Sequence, residues 1–141
     1  MRGKRILVVE DEYLILSDIE RSLIEEGMMV VGVSTGEDAL EYARKERYDC
    51  IVLDLGLPTM TGVEVLIHLQ RVGCPSPVVV MSGHADAHTK SIIFEKGARC
   101  FFEKPVQMDQ LIAGVKEAID SVAVGPFGYL KYLARSDIIL A

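Results

Sequence analysis

Five short apolar runs recur along the chain: Ile6–Val9, Met28–Val33, Ile51–Leu53, Val78–Met81 and Cys100–Phe102. They are rich in β-branched residues and continuous rather than alternating, the pattern of strands buried on both faces of a parallel sheet. The segments between them have helical periodicity. Ile15, Leu16, Ile19 and Leu23 fall at offsets of 0, 1, 4 and 8 and form one apolar stripe. Leu111, Ile112, Val115, Ala118, Ile119 and Val122 do the same after the fifth run. Gly27, Gly73 and Gly97 each fall just past a helical segment, where a left-handed C′ position favours glycine. Thr61 and Glu64 have the spacing of a capping box.

Strand–helix alternation repeated five times implies right-handed βαβ crossovers, with helices on both faces of one sheet. The expected architecture is α/β: a three-layer α/β/α sandwich, (βα)5, around a doubly wound, five-stranded parallel sheet. This domain is expected to occupy residues 1–123. Beyond Val122 the pattern breaks at Gly125-Pro126-Phe127-Gly128, leaving 124–141 as a C-terminal tail too short for a second domain. A docking helix, a dimer contact and the start of a linker are all open for it.

Composition narrows the class. At 141 residues the chain holds one domain with a sizeable core. Its apolar runs are too short to cross a bilayer. The basic N-terminus is followed by only four apolar residues before three acids, which argues against a secretion signal. Three cysteines, Cys50, Cys74 and Cys100, make no CxxC pair. Cys50 and Cys100 lie in apolar runs as expected for reduced, buried thiols. The expected location is cytoplasmic. The formal net charge of −6 and the absence of a basic stripe argue against direct nucleic-acid binding. No membrane partner is expected.

The chemistry sits at the strand ends. In an open parallel sheet the functional crevice lies beyond the carboxyl ends of the strands. The first run is followed by Glu10, Asp11 and Glu12, the third by Asp54, the fourth by Ser82, Gly83 and His84, and the fifth by Glu103, Lys104 and Pro105. If neighbouring ends converge, several carboxylates share a small volume, and a cation must compensate their repulsion. A hard divalent ion suits oxygen ligands, and Mg2+ binds a few carboxylates while keeping several waters. With a lysine and a hydroxyl as further donors, the set suits phosphoryl transfer. Taken singly, each residue has a plainer reading as a helix cap, first-turn charge or solvated side chain. The joint occurrence on four strands is what carries the functional reading. His68 and His88 are read as structural, and Met28-Met29 as strand core.

At these residues the chain resembles a receiver domain of two-component signalling, a flavodoxin-like fold, over about residues 4 to 122. LVVEDE is similar to the family's acidic doublet, DLGLPTMTGVEVL to its phosphoacceptor loop, and MSGHAD and FFEKP to its switch-hydroxyl and Lys-Pro segments. The resemblance implies a phosphorylation-dependent switch rather than an enzyme. Asp54 would be the phosphoacceptor. Mg2+ would be held by Asp11, Asp54 and the backbone carbonyl of Gly56, with Glu10 acting through water. Lys104 would pair with the phosphoryl group and orient Asp54, and its bond to Pro105 would be cis. Ser82 would move toward the phosphoryl oxygens, with Gly83 keeping that path open. The face made by the fourth helix, fifth strand and fifth helix would change in response. Implied partners are a sensor histidine kinase or phosphotransfer protein, a downstream protein target and a possible homodimer.

Two positions depart from the family's commonest pattern. Phe101 stands where a tyrosine is frequent, so the state of Ser82 is expected to be sensed through packing alone. Gly56 offers no side chain to orient attacking water, and His84 is expected to be the position that influences phosphoryl lifetime. A Mg2+-dependent aspartyl-phosphate phosphatase is the competing reading, but such enzymes usually place an acid where Gly56 stands. A flavodoxin-like cofactor binder would need a phosphate-cradling loop after the first strand, where three acids would repel its ligand.

Overall fold

The computed structural model describes residues 2–123. The 124–141 tail, with the docking, dimer and linker expectations attached to it, lies outside the described residues, as does the Val122 side chain. The elements alternate without interruption: β1 (Arg5–Val9), α1 (Tyr13–Glu25), β2 (Met29–Val33), α2 (Gly36–Lys45), β3 (Cys50–Asp54), α3 (Gly62–Arg71), β4 (Val78–Ser82), α4 (Ala87–Glu95), β5 (Ala98–Glu103) and α5 (Met108–Ala123). All strand pairs are parallel, in the order β2-β1-β3-β4-β5. The expected doubly wound sandwich is therefore the fold.

Alternate residues of the central strands feed two separate cores, which is why their apolar runs are continuous. Leu7, Val9, Ile51, Leu53, Val78 and Val80 pack with Ala39 of α2, Val65, Leu66 and Leu69 of α3, and Ile93 of α4. Ile6, Val8, Cys50, Val52, Val79 and Met81 pack on the other face with Ile19 and Leu23 of α1 and Leu111, Val115, Ala118 and Ile119 of α5. A polar residue within these runs would place an unpartnered group in one core or the other.

The two edge strands depart from the buried-run expectation. Met28 precedes β2 and is buried, but Met29 is 60 % exposed, so only the first of the methionine pair belongs to the core. Gly32 is exposed too, and Val30 and Val31 are half-buried. β5 likewise has half-buried residues from Arg99 to Phe102, Cys100 among them. An edge strand has a neighbour on one side only, so helices cover it incompletely.

Local capping agrees with the sequence. Thr35, Thr61 and Asp86 start α2, α3 and α4, each accepting a backbone N–H three residues on, at 3.1, 3.2 and 2.8 Å. Thr61 and Glu64 thus form the first half of the expected box. Gly27, Gly73 and Gly97 adopt φ of +87°, +70° and +101°. No helix among the described residues is long and apolar enough to cross a membrane.

The strand order positions the site. The chain leaves β1 for β2 on one side and then passes to β3 on the other, so the loops after β1 and β3 diverge and open a crevice. The β3–α3 loop folds back against this crevice at Gly62, whose N–H donates to the Leu55 carbonyl at 3.0 Å. A Cβ there would lie 2.4 Å from the Asp54 carbonyl oxygen and 2.5 Å from the Leu55 Cα. Backbone cannot yield as a side chain does. Gly62→Ala is expected to lower stability by about 2–3 kcal/mol or more. Gly83→Ala, where an added Cβ meets nothing within 4 Å, is expected to stay within about 0.5 kcal/mol of the parent. Urea midpoints check both, and equal midpoints for the two variants would refute the close-approach account.

Candidate functional site

The fold brings Glu10, Asp11, Asp54 and Lys104 to one point above the β1/β3 crevice. Glu10 follows β1 directly, is fully buried, and is fixed by its N–H donating to the Val33 carbonyl at 3.0 Å. Asp54 is the last residue of β3 and only 3 % exposed. Asp11 is exposed at the rim. Oxygens of these three carboxylates lie within 4.8 Å of one another, the only group of potential metal ligands among the described residues.

Lys104 enters from the opposite side. Its backbone N–H donates to the Ser82 carbonyl at 2.8 Å, and the Lys104–Pro105 peptide is cis. The ammonium lies 2.6 Å from Glu10 Oε1 and 3.1 Å from Asp54 Oδ2. The lysine therefore bridges both buried acids, whereas the sequence reading linked it to Asp54 alone. Asp54 Oδ1 accepts the Gly56 N–H at 3.1 Å, and Glu10 Oε2 accepts the Glu12 N–H at 3.4 Å.

Burial and the neighbouring Asp54 raise the Glu10 carboxyl to a pKa of about 7, against the opposing pull of Lys104. For Lys104, burial pulls the ammonium down, but hydrogen bonds and charge attraction from Glu10 and Asp54 outweigh it and leave the pKa raised. Away from the site, burial raises the Cys50 and Cys100 thiols, the latter to about 11, as expected of inert cysteines.

When both buried acids are ionised, two carboxylates and one ammonium leave an excess of negative charge, increased by Asp11 at the open edge. Hard oxygen donors on one side and solvent on the other fit Mg2+, which keeps several waters of its own. Gly56 is exposed beside Asp54, and a Cβ there would meet only the Asp54 oxygens, at 3.8 and 4.0 Å. Gly56 therefore lies next to the Asp54 carboxylate at the open side of the site.

The remaining positions frame the crevice. Ser82 ends β4, is 5 % exposed, and its hydroxyl oxygen accepts the His84 N–H at 3.2 Å. Gly83 and His84 are exposed beyond it. Phe101 pairs with Val80 across the β4–β5 ladder and packs on the core beneath α3 and α4. The ring is not held by packing alone: the Lys90 ammonium of α4 sits 5.0 Å from its centroid, a cation–π contact. This was not visible in the sequence, where Lys90 is one polar residue of a helical segment. His68 and His88 lie exposed on α3 and α4, away from the acids.

The model of the response regulator receiver domain family matches residues 6–116. The cell cycle transcriptional regulator CtrA of Caulobacter vibrioides is 33 % identical over 115 residues, which are 82 % of this chain and 50 % of that protein. The chain spans about half the length of the curated relatives it matches. A CheY-like response regulator receiver domain protein from Methanospirillum hungatei superposes with a TM-score of 0.82 at 27 % identity, covering 86 % of this chain and 97 % of that one. The receiver domain of a sensor histidine kinase from Pseudomonas aeruginosa, solved with a magnesium ion coordinated in its active-site cleft, gives a TM-score of 0.76 at 25 % identity over 84 % of this chain and 98 % of that one. With its five-stranded sheet, its acid-lined crevice and a family match across most of its length, this chain belongs to the response-regulator receiver-domain family.

Proposed function

We propose that this chain is a phosphorylation-dependent switch that accepts a phosphoryl group on Asp54 and thereby changes the face made by α4, β5 and α5. One observation carries the assignment: Asp54 shares a crevice with Glu10 and Asp11 while the Lys104 ammonium lies 3.1 Å from its carboxylate. Glu10 is as buried and lies closer still to Lys104; Asp54 is taken as the acceptor because it opens DLGLPTMTGVEVL, the stretch similar to the phosphoacceptor loop of the family that this chain matches. Asp11, Asp54 and the Gly56 carbonyl would hold Mg2+, with Glu10 acting through water. When bound, that ion supplies charge neutralisation for the carboxylates and the incoming phosphoryl oxygens.

The chemistry then falls to this chain's own groups. A carboxylate oxygen of Asp54 forms the new O–P bond as the P–N bond of a phosphohistidine breaks, and the departing imidazole nitrogen keeps that electron pair, any proton it needs coming from solvent. Lys104 moves its attraction from the Asp54 carboxylate to the new phosphoryl oxygens. Ser82 turns its hydroxyl toward them, and Phe101 with Lys90 senses the change from the α4 side. The donor is a sensor histidine kinase or phosphotransfer protein, and the altered face meets a downstream protein target or a second copy of the chain. His84, exposed two residues beyond Ser82, is the position that tunes phosphoryl lifetime. Gly56 supplies no general acid, so the phosphatase alternative has no group to carry it.

Incubation with Mg2+ and acetyl phosphate is expected to add the mass of one phosphoryl group to the protein and none to Asp54→Asn. Equal gains, or no gain on the parent, would defeat the assignment. His84→Ala is expected to change the decay rate of that species, and an unchanged decay would remove His84 from the scheme. Without divalent cation, Lys104→Met removes the cation that offsets the buried acids, so that Glu10 must take up a proton or stay uncompensated, and is expected to lower stability at pH 7.5 by up to about 3–5 kcal/mol. Glu10 has a folded pKa above its unfolded value of roughly 4.3, so the fold gains stability as pH falls from 7 toward that value. The Lys104→Met deficit should therefore shrink at pH 5, which urea titrations at the two pH values will read.

A further inference from the structure

The loop that carries Gly56 contains the one non-glycine residue with positive φ among the described residues. Thr59 has a φ of +59°, which is costly for a β-branched side chain. The Met60 N–H donates to the Pro58 carbonyl at 2.6 Å, closing a three-residue turn around Thr59. With a positive φ at its centre, such a turn is the rare, strained form. Something outside the loop must hold it.

That restraint comes from α2. Thr59 Oγ1 lies 2.8 Å from Glu37 Oε2 and 3.1 Å from Glu37 Oε1, with the Pro58 carbonyl at 2.7 Å. The hydroxyl has one proton, and an ionised carboxylate is its strongest acceptor here. Glu37 is in the first turn of α2, where a negative charge is favoured by the helix N-terminus and needs no other partner. Both ends of the loop are tied as well: Leu55 N–H to the Met81 carbonyl at 2.9 Å and Gly62 N–H to the Leu55 carbonyl at 3.0 Å. Between these ties, Gly56 is exposed and is held only by its N–H on Asp54 Oδ1.

We propose that Glu37 is a positioning residue for the phosphoacceptor loop, clamping the Thr59 hydroxyl so that the strained turn sets the Gly56 carbonyl for a divalent cation. The inference rests on the metal reading above and adds a residue that touches neither ion nor phosphoryl group. Mg2+ titration of the full chain, followed by the amide shifts of Gly56 and its neighbours, tests it. Glu37→Ala is expected to weaken Mg2+ about tenfold. Glu37→Gln keeps an acceptor oxygen and should bind like the parent. Glu37→Ala combined with Thr59→Gly should recover, because glycine takes positive φ without a clamp. In the metal-free protein, the three-bond HN–Hα coupling of Thr59 should change in Glu37→Ala and not in Glu37→Gln, with the urea midpoint nearly unmoved. A parent that binds Mg2+ while Glu37→Ala binds equally well overturns this inference alone. A parent that binds no Mg2+ overturns the metal reading and this inference with it.

Discussion

Two buried carboxylates and the half-buried ammonium that bridges them above the sheet are the constraint around which this domain is organised. Glu10 follows β1 directly and Asp54 ends the neighbouring β3, so the β1–β3 pairing that builds the core also forces their charges together. Taken alone, that pair would oppose folding, since carboxylates removed from water and facing each other cannot both stay ionised cheaply. Lys104 supplies the compensation, reaching both acids from the far side of β4. With both acids ionised the compensation is incomplete by one charge, and Asp11 adds a further carboxylate at the rim.

The scaffold's task is to keep that arrangement from relaxing. Each central strand is anchored in two cores at once, so β1, β3 and β4 cannot shift register without turning apolar side chains out of both. Asp54 and Ser82 are the last residues of β3 and β4 and inherit that rigidity. β5 is an edge strand, with half-buried residues from Arg99 to Phe102. There, Phe101 lies between the core and the Lys90 ammonium, a contact that links the strand nearest Lys104 to α4.

Much of this was legible in the chain itself. The continuous runs of β1, β3 and β4 identified strands with two buried faces, and acids directly after apolar runs marked the crevice. The same rule misjudged Met29 and overstated β2 and β5, because burial of an edge strand depends on how far its covering helices extend. Local capping was equally readable at Thr61, since a cap acts over three residues. Glu37 and Thr59 were not, being 22 residues apart and on different elements.

The sequence by itself determined the fold, the parallel order of strand and helix, and which side chains would stand at the crevice. Those depend on periodicity and on polar groups being excluded from a core, and both are local properties of the chain. Tertiary structure alone decided how the charges share one another. Lys104 is 94 residues from Glu10 and sits closer to it than to Asp54. Coulombic attraction and desolvation act through space over a few ångströms, so their outcome is set by the closure of the sheet and cannot be read along the chain.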